Sequence, residues 1–297
     1  MGDFVANPVT IRAPATSANL GPGFDAFGLA LAVYDLVEAQ VTDARLQVDV
    51  DGESADLLSR GESHLVVRSM RATFDALGVP QPGLRLRCHN VIPQGRGLGS
   101  SASAIVCGIK LADGLLGGGA ATDEVALALA TRLEGHPDNV AACLSGGFTI
   151  AWLEDNGPRL LRLDVHPSLR PVILIPPLAL STDVARTMLP EEVSHGAASA
   201  NAGRAALLVA AITEAPVHLL AATRDELHQE FRRSGMPDSL ALVDEMREAG
   251  VAAVVSGAGP AVLALGTAGD PVDVTRWTPP RWRAVEVEVD SAGAEVW

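Results

Sequence analysis

VIPQGRGLGSSASA, residues 91–104, is the stretch whose reading decides the fold. Gly95, Gly97 and Gly99 alternate behind a strand-like run at 84–88, and Ser100 and Ser101 open a helix. Alternating glycines let the backbone aim successive N–H groups at one spot, and a helix N-terminus adds further donors and the positive end of its dipole. The stretch therefore reads as an anion site made of main-chain amides. A glycine turn capped by serine would use the same residues. Lysine plays no part. The chain has a single lysine, Lys110 in CGIKLAD, outside any Gly-Lys-Ser/Thr context, which excludes Walker-type and protein-kinase chemistry.

Composition narrows the rest. The 297 residues leave room for one large or two ordinary domains, and 48% hydrophobic with 20% charged residues is a globular balance. A net charge of −14 argues against nucleic acid and anionic membrane surfaces as partners. Aromatics are only 4%, with one tyrosine, Tyr34, so there is little material for stacking bases. Cys88, Cys107 and Cys143 are scattered without a CxxC pair, which fits buried thiols in a reducing compartment rather than a zinc site or a disulfide framework. The N-terminus lacks a basic and apolar leader, Ala6 breaks a myristoylation pattern, and the longest apolar run, near 205–212, is too short to span a bilayer. A soluble, cytoplasmic protein is expected.

Along the chain, period-two patterns predict strands at 9–12, 37–41, 46–50 and 84–88, and helical spacing predicts helices over 65–77, 101–116 and 122–133. The polar segment 134–139 reads as a loop. Beyond a Pro-flanked stretch, strands are expected at 160–163, 172–175, 251–255, 261–265 and 284–289. Helices are expected at 201–213, 223–231 and 239–249, the last with Asp238 as its N-cap. The composition shift places a domain boundary near 165, giving 1–165 and 166–297. Strand and helix alternation in two unequal halves makes the fold class α+β.

Three further segments carry polar residues among small ones. Residues 13–28, APATSANLGPGFDAFG, hold Thr16, Ser17, Asn19 and Asp25, which must find partners or line a site. Asn and Asp also favour such loops simply as turn formers. Within them Gly21-Pro-Gly-Phe-Asp-Ala26 matches a loose dinucleotide fingerprint, but Pro22 removes an amide at the phosphate turn and no helix of the required kind follows. Residues 133–139, LEGHPDN, bring two acids, a histidine and an asparagine together, either as a metal or acid–base site or as a solvated loop with an Asx turn at Asp138. Residues 256–260, SGAGP, allow close approach of a ligand or another backbone.

These motifs together resemble the galactokinase, homoserine kinase, mevalonate kinase and phosphomevalonate kinase superfamily, and within it the homoserine kinases. Pro93-x-x-x-Gly97-Leu-Gly-Ser-Ser101-Ala is similar to the superfamily's phosphate loop, and SGAGP to its C-terminal glycine motif. The segments 13–28, Glu134-Gly-His-Pro-Asp-Asn139 and Leu180-Ser-Thr-Asp-Val-Ala-Arg186 resemble homoserine kinases in particular.

The resemblance implies an N-terminal domain like the second domain of ribosomal protein S5, a ferredoxin-like C-terminal domain, and ATP and substrate between them. It implies ATP and Mg²⁺ as cofactors, L-homoserine as the small-molecule acceptor, O-phospho-L-homoserine as product, and a homodimer. Nucleotide contacts then fall to Pro93, Gly95, Arg96, Gly97, Leu98, Gly99, Ser100, Ser101 and Ser103, with His64 on the adenine side where many relatives carry Asn. Ser101 and Glu134 would hold the metal. Asn19, Asp25, His136, Thr182, Arg186 and Arg232 match the acceptor contacts. Asp138 lies near the segment where mevalonate-kinase-like relatives place an aspartate base. Homoserine is a zwitterion, and Asp25 for its ammonium with Arg186 and Arg232 for its carboxylate supply the required charges.

Overall fold

The computed structural model describes residues 4–297, so the first three residues of the N-terminal reading lie outside it. Two sheets carry the chain. In the first half the strands are β1 (Val9–Ala18), β2 (Phe27–Thr42), β3 (Gln47–Gly52), β4 (Gly83–Asn90), β5 (Phe148–Glu154) and β6 (Gly157–Leu163). The helices there are α1 (Leu65–Ala76), α2 (Ser100–Leu115), α3 (Asp123–Glu134) and α4 (Asp138–Ser145). The second half contains β7 (Leu169–Ile175), α5 (Thr182–Thr187), α6 (His195–Thr213), α7 (Leu219–Ala222), α8 (Pro237–Glu248), β8 (Ala252–Val255), β9 (Val262–Thr267), α9 (Val274–Trp277) and β10 (Arg283–Glu286). The chain then returns as β11 (Glu295–Val296), antiparallel to β1 in the first sheet.

The first sheet runs β11-β1-β2-β4-β3, with β5 also pairing β2 and β6 pairing β5; β3 and β4 are parallel and its other pairs antiparallel. The second sheet runs β10-β7-β9-β8, all antiparallel. Counted within its own half that order is fourth, first, third, second, with helices in both crossovers, which is the ferredoxin-like arrangement.

Packing follows from the alternation along these strands. One core joins the first sheet to α1, α2, α3 and α4 through Val37, Leu86, Phe74, Ile105 and Val140, and another packs α8 and Trp277 on the far face of the second sheet. A third is shared: Ala15, Leu29, Ile92 and Phe148 from the first half pack with Ile173, Leu208, Val254 and Leu263 from the second. Burying this apolar surface is what holds the halves face to face.

The structure departs from the sequence reading at several elements. β2 begins ten residues before the expected 37, because Leu29, Ala30 and Leu31 are buried on both faces and show no alternation. The loop expected at 134–139 stops short of Asp138, where α4 begins with Pro137 at its start and runs to Ser145. No α-helix covers 223–231, where only a 3₁₀ turn begins at Glu230: the Asp225 carboxylate accepts the N–H groups of Leu227, His228 and Gln229, and this local bonding competes with helix formation. α6 starts at His195, where Ser194 caps Ala197 N–H. α8 starts at Pro237, one residue before the expected cap Asp238, since proline is preorganised for a first helical position.

One contact fixes α4 on the sheet. A Cβ added at Gly28 would stand 2.4 Å from the Asp138 carbonyl oxygen and 2.8 Å from the Ala142 Cβ. Gly28→Ala is therefore expected to cost about 1–3 kcal/mol, seen as a lower denaturation midpoint at unchanged slope, and to reduce activity by displacing Asp138.

Candidate active site

The glycine-loop residues 95–99 are pinned by their carbonyls. Gly95 O accepts from Leu180 N (2.9 Å), Arg96 O from Ala261 N (3.0 Å), Gly97 O from Ser256 Oγ (2.6 Å), Leu98 O from Thr16 N (3.0 Å) and Gly99 O from Ser103 N (2.8 Å). With each carbonyl turned into the protein, the N–H groups of residues 95–101 are left free, donating to no described residue. All of these residues except Arg96 line the cleft, at the N-terminus of α2, the electropositive end. Gly95, Gly97 and Gly99 all have positive φ (63°, 74° and 67°), and at two of them space is also absent. A Cβ at Gly97 would meet Ser256 O at 2.1 Å, and one at Gly99 would meet Thr16 Oγ1 at 1.9 Å.

The cleft beside this loop, about 1260 Å³ including its open mouth, is lined by every nucleotide, metal and acceptor residue expected from the sequence except Arg96. The Arg96 guanidinium instead donates to the carbonyls of Gln94, Pro176 and Pro177, stapling the loop to the second half. At one end His64 is buried, and its Nδ1 has no hydrogen-bond partner; burial holds the ring below the ordinary histidine pKa, hence neutral. Asp35, Asn90 and Gln94 line the cleft too and were missed in sequence. For Asp35 a signal existed: it shares the buried parity of Val37 and Ala39, a core-facing place where a carboxylate is out of character.

At the mouth of α2, Ser101 Oγ donates to Glu134 Oε1 at 2.6 Å. Glu134 ends α3, and Gly135 closes that helix in the left-handed conformation. Burial raises the Glu134 pKa against the Ser101 hydrogen bond. Two residues on, His136 Nδ1 lies 2.5 Å from Asp138 Oδ1 at the start of α4. Burial pulls this imidazole down, but the hydrogen bond and charge of Asp138, helped by Glu134, outweigh it and hold its pKa above the ordinary value. Asp138 also accepts Asn139 N–H, and Thr16 Oγ1 donates to Asn139 Oδ1.

The residues expected to contact the acceptor also line the cleft. Asn19 takes a left-handed conformation (φ 67°), accepts Asp25 N–H and donates to Gly257 O, so its amide chiefly shapes the loop that presents Asp25. Arg186, on α5 with Thr182, forms a two-pronged pair with Asp25 at 2.8 and 3.1 Å. Asp25 and Arg186, expected at opposite ends of the acceptor, meet each other in this structure. Arg232 is 1% exposed and lines the cleft, whereas Arg233 points outward to Glu230 and Asp244. Arg232 donates to Ala185 O and to His228 Nδ1, while His228 donates from Nε2 to Gly21 O. Burial keeps His228 below its ordinary pKa, so this neighbour is a neutral ring. Among the described residues Arg232 has no carboxylate partner.

Residues 64–147 match the family described as GHMP kinases N terminal domain, and 204–276 the family described as GHMP kinases C terminal. A homoserine kinase of Streptomyces avermitilis is 50% identical over 99% of this chain and 97% of its own. One of Streptomyces coelicolor is 51% identical, covering 99% and 96%. The chain belongs to the homoserine kinase family of the GHMP kinases. The crystal structure of a homoserine kinase from Cytophaga hutchinsonii superposes with a TM-score of 0.82 at 25% identity, covering 98% of this chain and 97% of that one. Family membership makes this an ATP-dependent phosphotransferase acting on an alcohol with the two-domain GHMP kinase fold.

Gly97→Val tests the loop. A branched side chain against pinned carbonyls at positive φ should weaken ATP binding by calorimetry about thirtyfold or more, from roughly 2–5 kcal/mol of clash and backbone strain. An affinity unchanged within about twofold would reduce the loop to an ordinary turn.

Proposed function

We propose that the chain transfers the γ-phosphate of ATP to the hydroxyl of L-homoserine, giving O-phospho-L-homoserine, in threonine biosynthesis. The observation that carries the acceptor is Arg232: a guanidinium buried at the cleft wall whose bonds go to a carbonyl and a neutral imidazole. Burial, then repulsion from Arg186, lowers its pKa, so an anionic group of the substrate relieves an underpaired charge there. Asp25 offers a carboxylate to an ammonium. In this reading the zwitterion inserts between Asp25 and Arg186, each exchanging its partner in the pair for one end of the substrate.

The free amides of residues 95–101 take the ATP phosphates, and His64 lies at the adenine side. Ser101 and Glu134, two hard oxygen donors side by side, suit Mg²⁺, which keeps few protein ligands and completes its shell with phosphate and water. When bound, that ion neutralises charge developing on the phosphoryl group. The protein's part is positioning: the loop holds the donor, the charged residues hold the acceptor, and a transfer of this loose type does not require a strong base. Asp138 serves by holding His136 in place. The homodimer is carried by the resemblance, and the cytoplasmic setting by the buried, unpaired state of Cys88, Cys107 and Cys143, which fits a reducing compartment.

Glu134→Gln should lose most turnover and its Mg²⁺ dependence while circular dichroism stays unchanged; a variant that kept both would remove Glu134 from the metal. The acceptor is tested with 3-aminopropan-1-ol, which keeps homoserine's amine and hydroxyl and lacks its carboxylate. Leaving a buried guanidinium underpaired costs about 2–5 kcal/mol, so kcat/KM should fall on the order of thirtyfold to several thousandfold. Arg232→Ala should narrow that gap with ATP affinity nearly unchanged. Equal efficiency of the wild type on both acceptors would falsify the carboxylate clamp.

A further inference from the structure

The β2–β4 ladder ends at Leu36 opposite His89. Beyond it the chain peels away: Asn90 pairs with Gly52 on β3, and the next two residues lead into the phosphate loop with no sheet partner. Their N–H groups are taken by a side chain. Asp35 Oδ1 accepts Val91 N–H at 2.7 Å and Ile92 N–H at 2.9 Å, extending the sheet's bonding one step past its last rung. Its other oxygen, Oδ2, accepts Ser103 Oγ–H at 3.2 Å, from the first turn of α2. One carboxylate thus holds both flanks of the loop, on its entry and on its exit.

This carboxylate is placed at some cost. Asp35 is 5% exposed and lines the cleft, so burial penalises its charge, and that burial raises its pKa against the three donors. A valine or alanine, as at Val37 and Ala39 on the same buried parity, would avoid the penalty. It would also leave the buried Ile92 N–H and the part-buried Val91 N–H without their acceptor and the loop's entry untied from its exit. Glycines make the loop flexible as a chain, so a rigid cradle needs fixed ends as well as pinned carbonyls.

We propose that Asp35 is a positioning residue for nucleotide binding, tying the strand exit at Val91 and Ile92 to the first turn of α2 at Ser103 so that the amides between them stay aimed at the phosphates. The inference rests on reading residues 95–101 as the phosphate cradle. A merely structural role would lower stability and affect both substrates alike. A positioning role separates them.

The experiment is steady-state kinetics of the full chain with ATP and homoserine varied in turn, on Asp35→Ala, Asp35→Asn and Ser103→Ala, with melting temperatures alongside. Asp35→Ala should raise KM for ATP about tenfold or more, with KM for homoserine within about twofold, because the lost hydrogen bonds act on the loop alone. Asp35→Asn should recover KM for ATP to within about threefold of wild type, since its carbonyl accepts the same two N–H groups and its amide can donate to Ser103 Oγ. Ser103→Ala, which frees one end only, should raise KM for ATP by about threefold, and it carries the test if Asp35→Ala does not fold. Parallel rises in both KM values, equal effects of Asn and Ala, or an unchanged KM for ATP in folded variants would overturn the proposal. Gly97→Val separates the two levels. If it binds ATP like wild type, the cradle reading falls and this inference with it; if it loses ATP while Asp35→Ala does not, only the role of Asp35 falls.

Discussion

Five consecutive backbone carbonyls, from Gly95 to Gly99, are each occupied by a donor from elsewhere in the chain, and the architecture of the cleft depends on that constraint. A peptide unit whose oxygen is fixed has its N–H fixed in the opposite sense, so pinning the acceptors aims the donors. The pins come from Thr16 on β1, Ser103 on α2, and Leu180, Ser256 and Ala261 in the second half. Neither half could form the cradle alone. The shared apolar core around Leu29, Phe148, Ile173 and Leu263 is thus an active-site component at one remove, because it brings the second set of pins into reach.

The charge of the protein makes this construction intelligible. At −14 the surface field opposes a polyphosphate, and lysine is all but absent from the chain. Oriented amides act at hydrogen-bond range and carry no net charge, so they can hold phosphates locally while the overall field stays acidic. Arg96 shows the same economy. Its cation, the one nearest the loop in sequence, is spent on three carbonyls that fix the backbone.

How much of this could be read from sequence depended on whether a residue's role is local. The loop was legible because positive φ at Gly95, Gly97 and Gly99 demands glycine, and the helix opening at Ser100 has its own signature. The seam strands 172–175 and 261–265 were legible as apolar runs. α4 was not, because Glu134 to Asn139 is polar and contains Pro137, and what makes it helical is packing against β2 at Gly28. The stretch 223–231 was misread as a helix since propensity ignores the Asp225 carboxylate, which takes the N–H groups a helix would use. The resemblance favours Arg232 over its neighbour Arg233, and tertiary burial separates the cleft-lining one from the one paired with Glu230. Asp35 was overlooked for the opposite reason, sitting in a strand pattern regular enough to hide a buried charge.

The two ends of the cleft solve different problems. At the end proposed for the nucleotide the donors are fixed by the protein's own contacts, so on that reading little reorganisation accompanies binding. At the end proposed for the acceptor Asp25 and Arg186 pair with each other, each side chain about 36% exposed. An exposed pair contributes little to stability, so a zwitterion can replace it by two contacts of its own with small net change. That exchange selects weakly for any particular amino acid. Arg232 cannot relax in the same way, because its neighbours are a carbonyl and a neutral imidazole and water is largely excluded. On the proposed function the discrimination for a carboxylate therefore resides in the buried arginine, while the Asp25–Arg186 pair sets the orientation in which the hydroxyl is offered to the loop.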